Sequence, residues 1–308
     1  MARNRRGRPV NGWVVIDKPA GITSTRAVNV VRRVFDAAKA GHAGTLDPFA
    51  TGILPIALGE ATKTVPYVMG RRKSYLFEIL WGEERDTDDC EGTVTGTSAV
   101  RPDRETIERA LDAFRGHIEQ VPPRYSAVRI GGRRAYDLAR NDEDVALPPR
   151  PVRIDEFLLE AIPDPDRAIF RVTSGKGAYM RALARDLARN VGTVGHLARL
   201  ARLSVGNFDA ETAVPLDFLE TRVHSPAAFD HLLPVDAALD DIPALDVTGD
   251  EADRLRRGQR VPLFRASDRA RRGELREGDL LYARCSGLPV AVSRIREGCI
   301  SPVRVLNL

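Results

Sequence analysis

The stretch SYLFEILWG, residues 74–82, limits what this chain can become more than any other. Tyr75, Phe77, Ile79 and Trp81 take alternate positions, with Glu78 on the other side. An alternation of period two puts four large apolar side chains on one face of a strand. The rest of the chain supplies further strands and helices in unsegregated order. WVVID (13–17) is a β-branched run stopped by the Pro/Gly turn KPAG. Ser24 or Thr25 can cap a helix in which Ala27, Val30, Val31, Val34 and Phe35 follow helical spacing. Residues 41–52 read as a loop, ATKTVPYVM as a short helix carrying Pro66, and DTDDCEG as a turn. Asp103 can cap a helix with Ile107, Leu111 and Phe114 on one side. Residues 120–140 mix a Pro-Pro turn, a short strand, a Gly-Gly turn and a basic helix start. Further strands are expected at 152–160, 168–173 and 203–208, and a helix at 178–190 after SGKG. Several turn-linked strand pairs in that order favour an α+β fold with a mainly antiparallel mixed sheet.

Length and charge narrow the organisation. A chain of 308 residues has room for about two domains. From about residue 210 the sequence turns rich in Pro and Asp, and reads as a connecting segment returning along the first domain. Residues 243–308 read as a small β-rich module, with a helix at GDEADRLRRG and strands at DLLYARC, PVAVSRI and ISPVRVLNL. The expected division is a basic flexible arm at 1–8, a larger domain at 9–242 and the module at 243–308. The formal net charge is only +4, so the distribution of charge matters more than its total. The start, MARNRRGR, lacks the apolar core of a secretory signal, and no apolar run approaches bilayer length. Three scattered cysteines without CxxC spacing fit a reducing cytosol, and five dispersed histidines give no structural zinc set. The expectation is a soluble, cytoplasmic protein with no metal.

GHAGTLDPFATG, residues 41–52, carries one acid, Asp47, in a loop rich in turn formers. An Asp before Pro in such a loop is ordinarily a turn residue bonding the backbone. The loop is not a nucleotide cradle, since it lacks GxxxxGK[ST] and GxGxxG. No second carboxylate stands beside it to make a glycosidase pair, and no Ser-His-Asp or Cys-His set is evident. A lone carboxylate suits nucleophilic catalysis, or stabilisation of a developing cation, if an arginine keeps it ionised.

GHAGTLDPFATGILPIALGEATK resembles, almost residue for residue, the signature of the TruB family of tRNA pseudouridine-55 synthases. The resemblance covers nearly the whole chain, through NGWVVIDKPAGITS, KSYLFEILWGEERDTDD, QVPPRYSAVRIGGRRAYDLAR and SGKGAYMRALARDLA. The end of the chain resembles the PUA module that closes bacterial members. It implies a pseudouridine synthase catalytic domain and a PUA-like RNA-binding module. The implied reaction breaks the N1–C1′ bond of a uridine, turns the base and rejoins it through C5, with no cofactor. The implied partner is tRNA, gripped at the T stem-loop and the acceptor stem by a monomer with no obligate protein partner.

The resemblance also implies roles for individual residues. Asp47 is the catalytic position, whether it attacks C1′, adds to C6 or assists elimination through a glycal. Arg181 matches the arginine that pairs with it, where an amphipathic helix would otherwise put a solvated side chain. Asp89 matches a second acid that holds Arg181, though among Asp86, Asp88 and Asp89 it also reads as a turn residue. Tyr75 matches the tyrosine against the target base, and Tyr179 and Leu200 match pocket-lining positions; for Tyr75 and Leu200 a plain core role is the alternative. His42 matches the histidine that takes up the gap left by a flipped nucleotide, or is a loop histidine bonded to backbone. Basic runs at Arg71, Arg72 and Lys73, and at Arg129, Arg133 and Arg134, flank these motifs and suit phosphate contact. The C-terminal module adds Arg254, Arg256, Arg257, Arg269, Arg271 and Arg272. A non-catalytic RNA-folding protein and a nucleoside-directed glycosylase are the rival readings.

Overall fold

The computed structural model describes residues 7–126, 129–130, 133–134, 147–263, 273 and 275–308. The large sheet is built from β1 (Gly12–Lys18), β2 (Ala40–His42), β3 (Thr51–Leu58) and β4 (Lys73–Trp81) in the first part of the chain. A small hairpin follows, β5 (Glu83–Arg85) with β6 (Val94–Thr97), then β7 (Gly116–Gln120) and a short pair, β8 (Arg129–Ile130) and β9 (Arg133–Arg134). The strands β10 (Arg150–Asp164), β11 (Arg167–Ser174), β12 (Gly195–Val205) and β13 (Ala213–Pro215) complete the sheet. Its order is β13-β1-β3-β12-β4-β11-β10-β7, with β2 paired to β3. Within this sheet, among the described residues, only β1–β13 and β12–β3 are parallel, so the fold is α+β with a mixed, mainly antiparallel sheet.

The alternation in β4 works as its spacing predicts. Tyr75, Phe77, Ile79 and Trp81 are all buried, and Phe77, Phe157 and Phe170 pack with centroids 5.5–5.9 Å apart. Burying each such side chain contributes about 1.5–3 kcal/mol. The helices Ser24–Val34, Arg104–Leu111 and Met180–Asn190 send Val31, Ile107, Leu183 and Leu187 into this core. Asp103 caps its helix as expected, accepting from the Thr106 N–H at 2.8 Å. The first helix is capped one residue earlier than its sequence suggests: Thr23 accepts from Arg26, which releases Ser24 for another task.

Strands β3 and β12 depart furthest from expectation, and the short strands β2, β7 and β13 fall where none was expected. Strand β3 runs through ILPIAL, where an apolar run without alternation and an internal proline hid it. Pro55 falls in the gap between the pairing with β2, which reaches Ile56, and the pairing with β12 at Thr51 and Gly52. A proline is tolerated where it interrupts no ladder. Strand β12 starts at Gly195, not at 203, and register shifts between Leu197 and Arg199 and between Arg202 and Ser204 break its period. The Pro- and Asp-rich segment returns along β1, with β13 beside Val15–Asp17 and Leu233 bonded to Trp13.

A second sheet, ordered β14-β16-β17-β18-β15, forms the C-terminal β-rich module. Its strands are β14 (Ala244–Asp246), β15 (Val261–Pro262), β16 (Leu280–Cys285), β17 (Leu288–Arg296) and β18 (Cys299–Val305). Leu255, Leu281, Ile295 and Ile300 lie in its own core, under a helix, Gly249–Arg256, started by a Thr248–Glu251 capping box. Its last residues dock on the large sheet. Leu306 is buried with Trp13, Val15 and Phe208, and Lys63 Nζ donates to the Val305 carbonyl at 2.9 Å. No helix among the described residues is long and apolar enough to cross a membrane.

Of the expected arm at 1–8, residues 1–6 lie outside the described residues, as do Arg269, Arg271 and Arg272. Arg8 belongs to the folded body, its guanidinium 5.7 Å from the Phe229 ring centroid.

Candidate active site

The loop between β2 and β3 is held from three sides. Ser24 Oγ accepts from the Leu46 N–H at 2.8 Å and donates to the Leu46 carbonyl at 2.9 Å. Lys18 Nζ donates to the carbonyls of Pro48, Ile22 and Pro19 at 3.1, 2.9 and 2.8 Å. Burial lowers the Lys18 pKa to about 8, against the pull of the Asp47 charge. Arg202 bonds the loop from below. None of these three residues was marked by the sequence as part of the site.

The loop delivers Asp47 to Arg181, on the helix Met180–Asn190. Arg181 Nη2 donates to Oδ1 at 3.3 Å, and Nε lies 3.1 Å from Oδ2, out of line for a hydrogen bond. The same guanidinium reaches Asp89 Oδ2 at 3.2 Å and donates to the carbonyls of Thr87 at 3.1 Å and Tyr125 at 2.9 Å. Asp89 is itself fixed, accepting from Thr87 Oγ1 at 2.6 Å and the Glu91 N–H at 3.0 Å. The Arg181 and Asp89 side chains are 7% and 4% exposed, while Asp47 keeps 32%, toward the pocket it lines. Burial raises the Asp47 pKa above the ordinary carboxylate value, and Arg181 opposes it. One turn further along the helix the arrangement recurs: Arg185 Nη1 donates to Asp88 Oδ2 at 2.9 Å.

Asp47 opens on a pocket of about 440 Å³, within the usual range of small-ligand sites. Tyr75, Tyr179, Leu200, Lys73 and Arg202 line it with Arg181. Tyr75 comes from β4 and Leu200 from β12, both 8% exposed; burial raises the Tyr75 pKa, so the phenol stays neutral near pH 7. Tyr179 is clamped through its backbone by Gln120, whose side-chain oxygen accepts its N–H at 2.8 Å and whose amide donates to its carbonyl at 3.1 Å. Six expected site residues, Asp47, Tyr75, Asp89, Tyr179, Arg181 and Leu200, therefore converge on one place. His42 stands at the end of β2, its Nδ1 accepting the Gly44 N–H at 3.3 Å, and burial lowers its pKa.

The basic run 71–73 does not behave as one unit. Arg71 is a correction: its side chain is 7% exposed and bonds Asn207, the Ala238 carbonyl, Asp240 and Asp241, so it ties the fold together and offers no free charge to a phosphate. Lys73 is buried, Nζ donating to the Met69 and Arg71 carbonyls at 2.9 Å, and burial lowers its pKa to about 8. Arg72 is 69% exposed beside Asp155. For Arg129, Arg133 and Arg134 only the backbone of β8 and β9 is described, and their side chains lie outside the described residues.

Comparison with known proteins places this geometry. The family described as TruB family pseudouridylate synthase (N terminal domain) matches residues 32–180, and the tRNA pseudouridylate synthase B C-terminal domain matches 181–240. A tRNA pseudouridine synthase B from Rhodospirillum rubrum is 53% identical over 308 residues, the full length of both chains. Another from Bradyrhizobium diazoefficiens is 55% identical over 98% of this chain and 87% of its own. Among solved structures, an H/ACA RNP bound to a substrate RNA containing 2′-deoxyuridine aligns with a TM-score of 0.73 at 19% identity, covering 100% of this chain and 92% of that one. An archaeal box H/ACA sRNP Nop10–Cbf5 complex aligns at 0.71 and 21% identity, covering 99% and 92%. At those identities the likeness is one of fold.

Proposed function

The chain belongs to the TruB family of tRNA pseudouridine synthases, and from that premise we propose that it isomerises uridine 55 in the T loop of tRNA, with Asp47 as the group that acts on the nucleotide. The observation that carries this reading is a single carboxylate, held by a buried arginine, at the open side of a pocket lined by tyrosine and leucine. The reaction is an isomerisation: the N1–C1′ bond breaks, C5 bonds to C1′, the C5 proton leaves and N1 gains one. It requires an ionised acid beside the sugar or base, and a space that accepts a turned uracil.

In this reading the uridine is extruded from the loop, because a stacked or paired base is out of reach. The Tyr75 ring and Leu200 sandwich the uracil, and Tyr179 closes the pocket wall. Arg181 orients Asp47 and, with Lys18, favours its charged form against burial. Asp89 fixes Arg181 in turn. His42, neutral near pH 7 and anchored to Gly44, fills the gap left by the flipped nucleotide. Residues 9–242 are the catalytic domain and 243–308 the RNA-binding module, which contacts the acceptor stem. Arg72, Arg133, Arg134 and the arm at 1–8 meet backbone phosphates. The protein works as a cytoplasmic monomer with no cofactor.

The test is to incubate purified protein with unmodified tRNA and with an isolated T-arm stem-loop, and then map pseudouridine chemically. One product at position 55 in both RNAs is expected. A product elsewhere, or none on a folded tRNA, contradicts the assignment.

A further inference from the structure

Arg202 is a buried cation that no carboxylate among the described residues pairs with. It is 2% exposed, so its charge is compensated by dipoles alone, an arrangement that is costly unless every bond is made. Strand β12 sets it opposite Gly52 of β3 on one side and Tyr75 of β4 on the other. From there Nε donates to the Ile53 carbonyl at 2.7 Å, Nη2 to Gly44 at 3.1 Å and Nη1 to Thr45 at 3.4 Å. Gly44 and Thr45 precede Asp47 in its loop and Ile53 follows it, so one planar fork spans both ends. Tyr75, its cross-strand neighbour, lines the same pocket. Gly52 has φ of +96°, and a Cβ there would stand 2.3 Å from the Arg202 carbonyl oxygen. The strands meet too closely for any other residue.

We propose that Arg202 is a positioning residue for the isomerisation: it closes the Asp47 loop at both ends onto β12, so that the carboxylate keeps one geometry against the pocket. A lysine has no planar fork with which to satisfy these three carbonyls together. The inference rests on the proposed role of Asp47.

The test compares parent, Arg202→Lys and Asp47→Asn by thermal melting, tRNA binding and single-turnover rate at saturating tRNA. A folded Arg202→Lys is expected to bind tRNA within about threefold of parent and to turn over about a hundredfold more slowly, the size of loss a small misplacement of reacting groups produces. A rate within about threefold of parent, or a loss carried by binding alone, overturns the proposal. An active Asp47→Asn would sink the functional reading itself, which keeps the two failures apart. If Arg202→Lys does not melt cooperatively, native-state amide exchange of the parent decides. A loop closed from Arg202 opens only with β12, so protected amides across residues 43–53 are expected to exchange within about threefold of those in β12. Exchange at least about tenfold faster across 43–53 than in β12 means that the loop opens independently of Arg202, and overturns the proposal.

Discussion

Arg181 holds Asp47 with Nη2 3.3 Å from Oδ1 and Nε 3.1 Å from Oδ2, using the guanidinium that also reaches Asp89. The two residues are 134 positions apart in the chain, so the sheet brings the acid and its partner together. Everything proposed for the site depends on this pair.

Replacing Arg181 with Lys keeps the charge and loses the planar fork, so single-turnover rate should fall by about a hundredfold or more. The pH profile should move as well. Burial raises the Asp47 pKa and Arg181 pulls it down, so a poorer partner lets it rise further. The acid limb of the rate should therefore shift to higher pH in Arg181→Lys. Parent-like turnover with an unmoved limb would leave only a diffuse positive potential at this position.

Asp88 gives a stability prediction with a definite sign. Burial pushes its pKa up to about 6 from 3.8, against Arg185. The folded state therefore binds this proton more tightly than the unfolded one, and its contribution is present below the unfolded value and lost as pH rises through about 6. Asp88 has φ of +61°, a conformation asparagine tolerates well, so Asp88→Asn removes the charge with little backbone strain. Between about pH 4 and 6, the variant should gain up to about 3 kcal/mol relative to parent. Denaturant titrations across that range check it, and a constant difference would contradict it.

The docked C-terminus predicts that the module is not simply detachable. Leu306 fills a core shared with Trp13, Val15 and Phe208, and the Asn307 N–H donates to Glu60 Oε2 at 2.7 Å. Leu306→Ala should cost about 2–5 kcal/mol, with saturated turnover unchanged at temperatures where the variant is folded. Deleting residues 243–308 would strip this contact too, so a truncated protein would confound RNA grip with stability. Reversing the charge of exposed Arg257 is the cleaner probe of RNA contact. It should flatten the salt dependence of tRNA affinity by roughly 0.7–0.9 in log–log slope if that residue meets a phosphate.

The fold was legible where periodicity was clean and hidden where it was not. In β4 four alternate apolar side chains announce the strand, whereas β3 offers an unbroken apolar run with Pro55 inside it, and two register shifts blur β12. The site follows the same division. Asp47, Arg181 and Tyr75 stand in distinctive local motifs and converge as expected. Lys18, Ser24 and Arg202 act by bonding backbone carbonyls and N–H groups of a loop remote in sequence, and nothing local separates such a lysine or arginine from a solvated one. Arg71 shows the reverse error, since in a run of three basic residues it looks like surface charge but is buried among Asn207, Asp240 and Asp241. One signal was available: with 195–205 read as a strand, Arg202 shares a face with Leu200, and both then point to the pocket.

The most direct test of the account is Asp47→Asn, which removes one charge and preserves volume. The measurement is the single-turnover rate of pseudouridine formation at saturating tRNA, beside the tRNA dissociation constant of the same protein. The account predicts no detectable product, with binding close to that of the parent. Turnover within about tenfold of the parent, a barrier change of only ~1.4 kcal/mol, would contradict it.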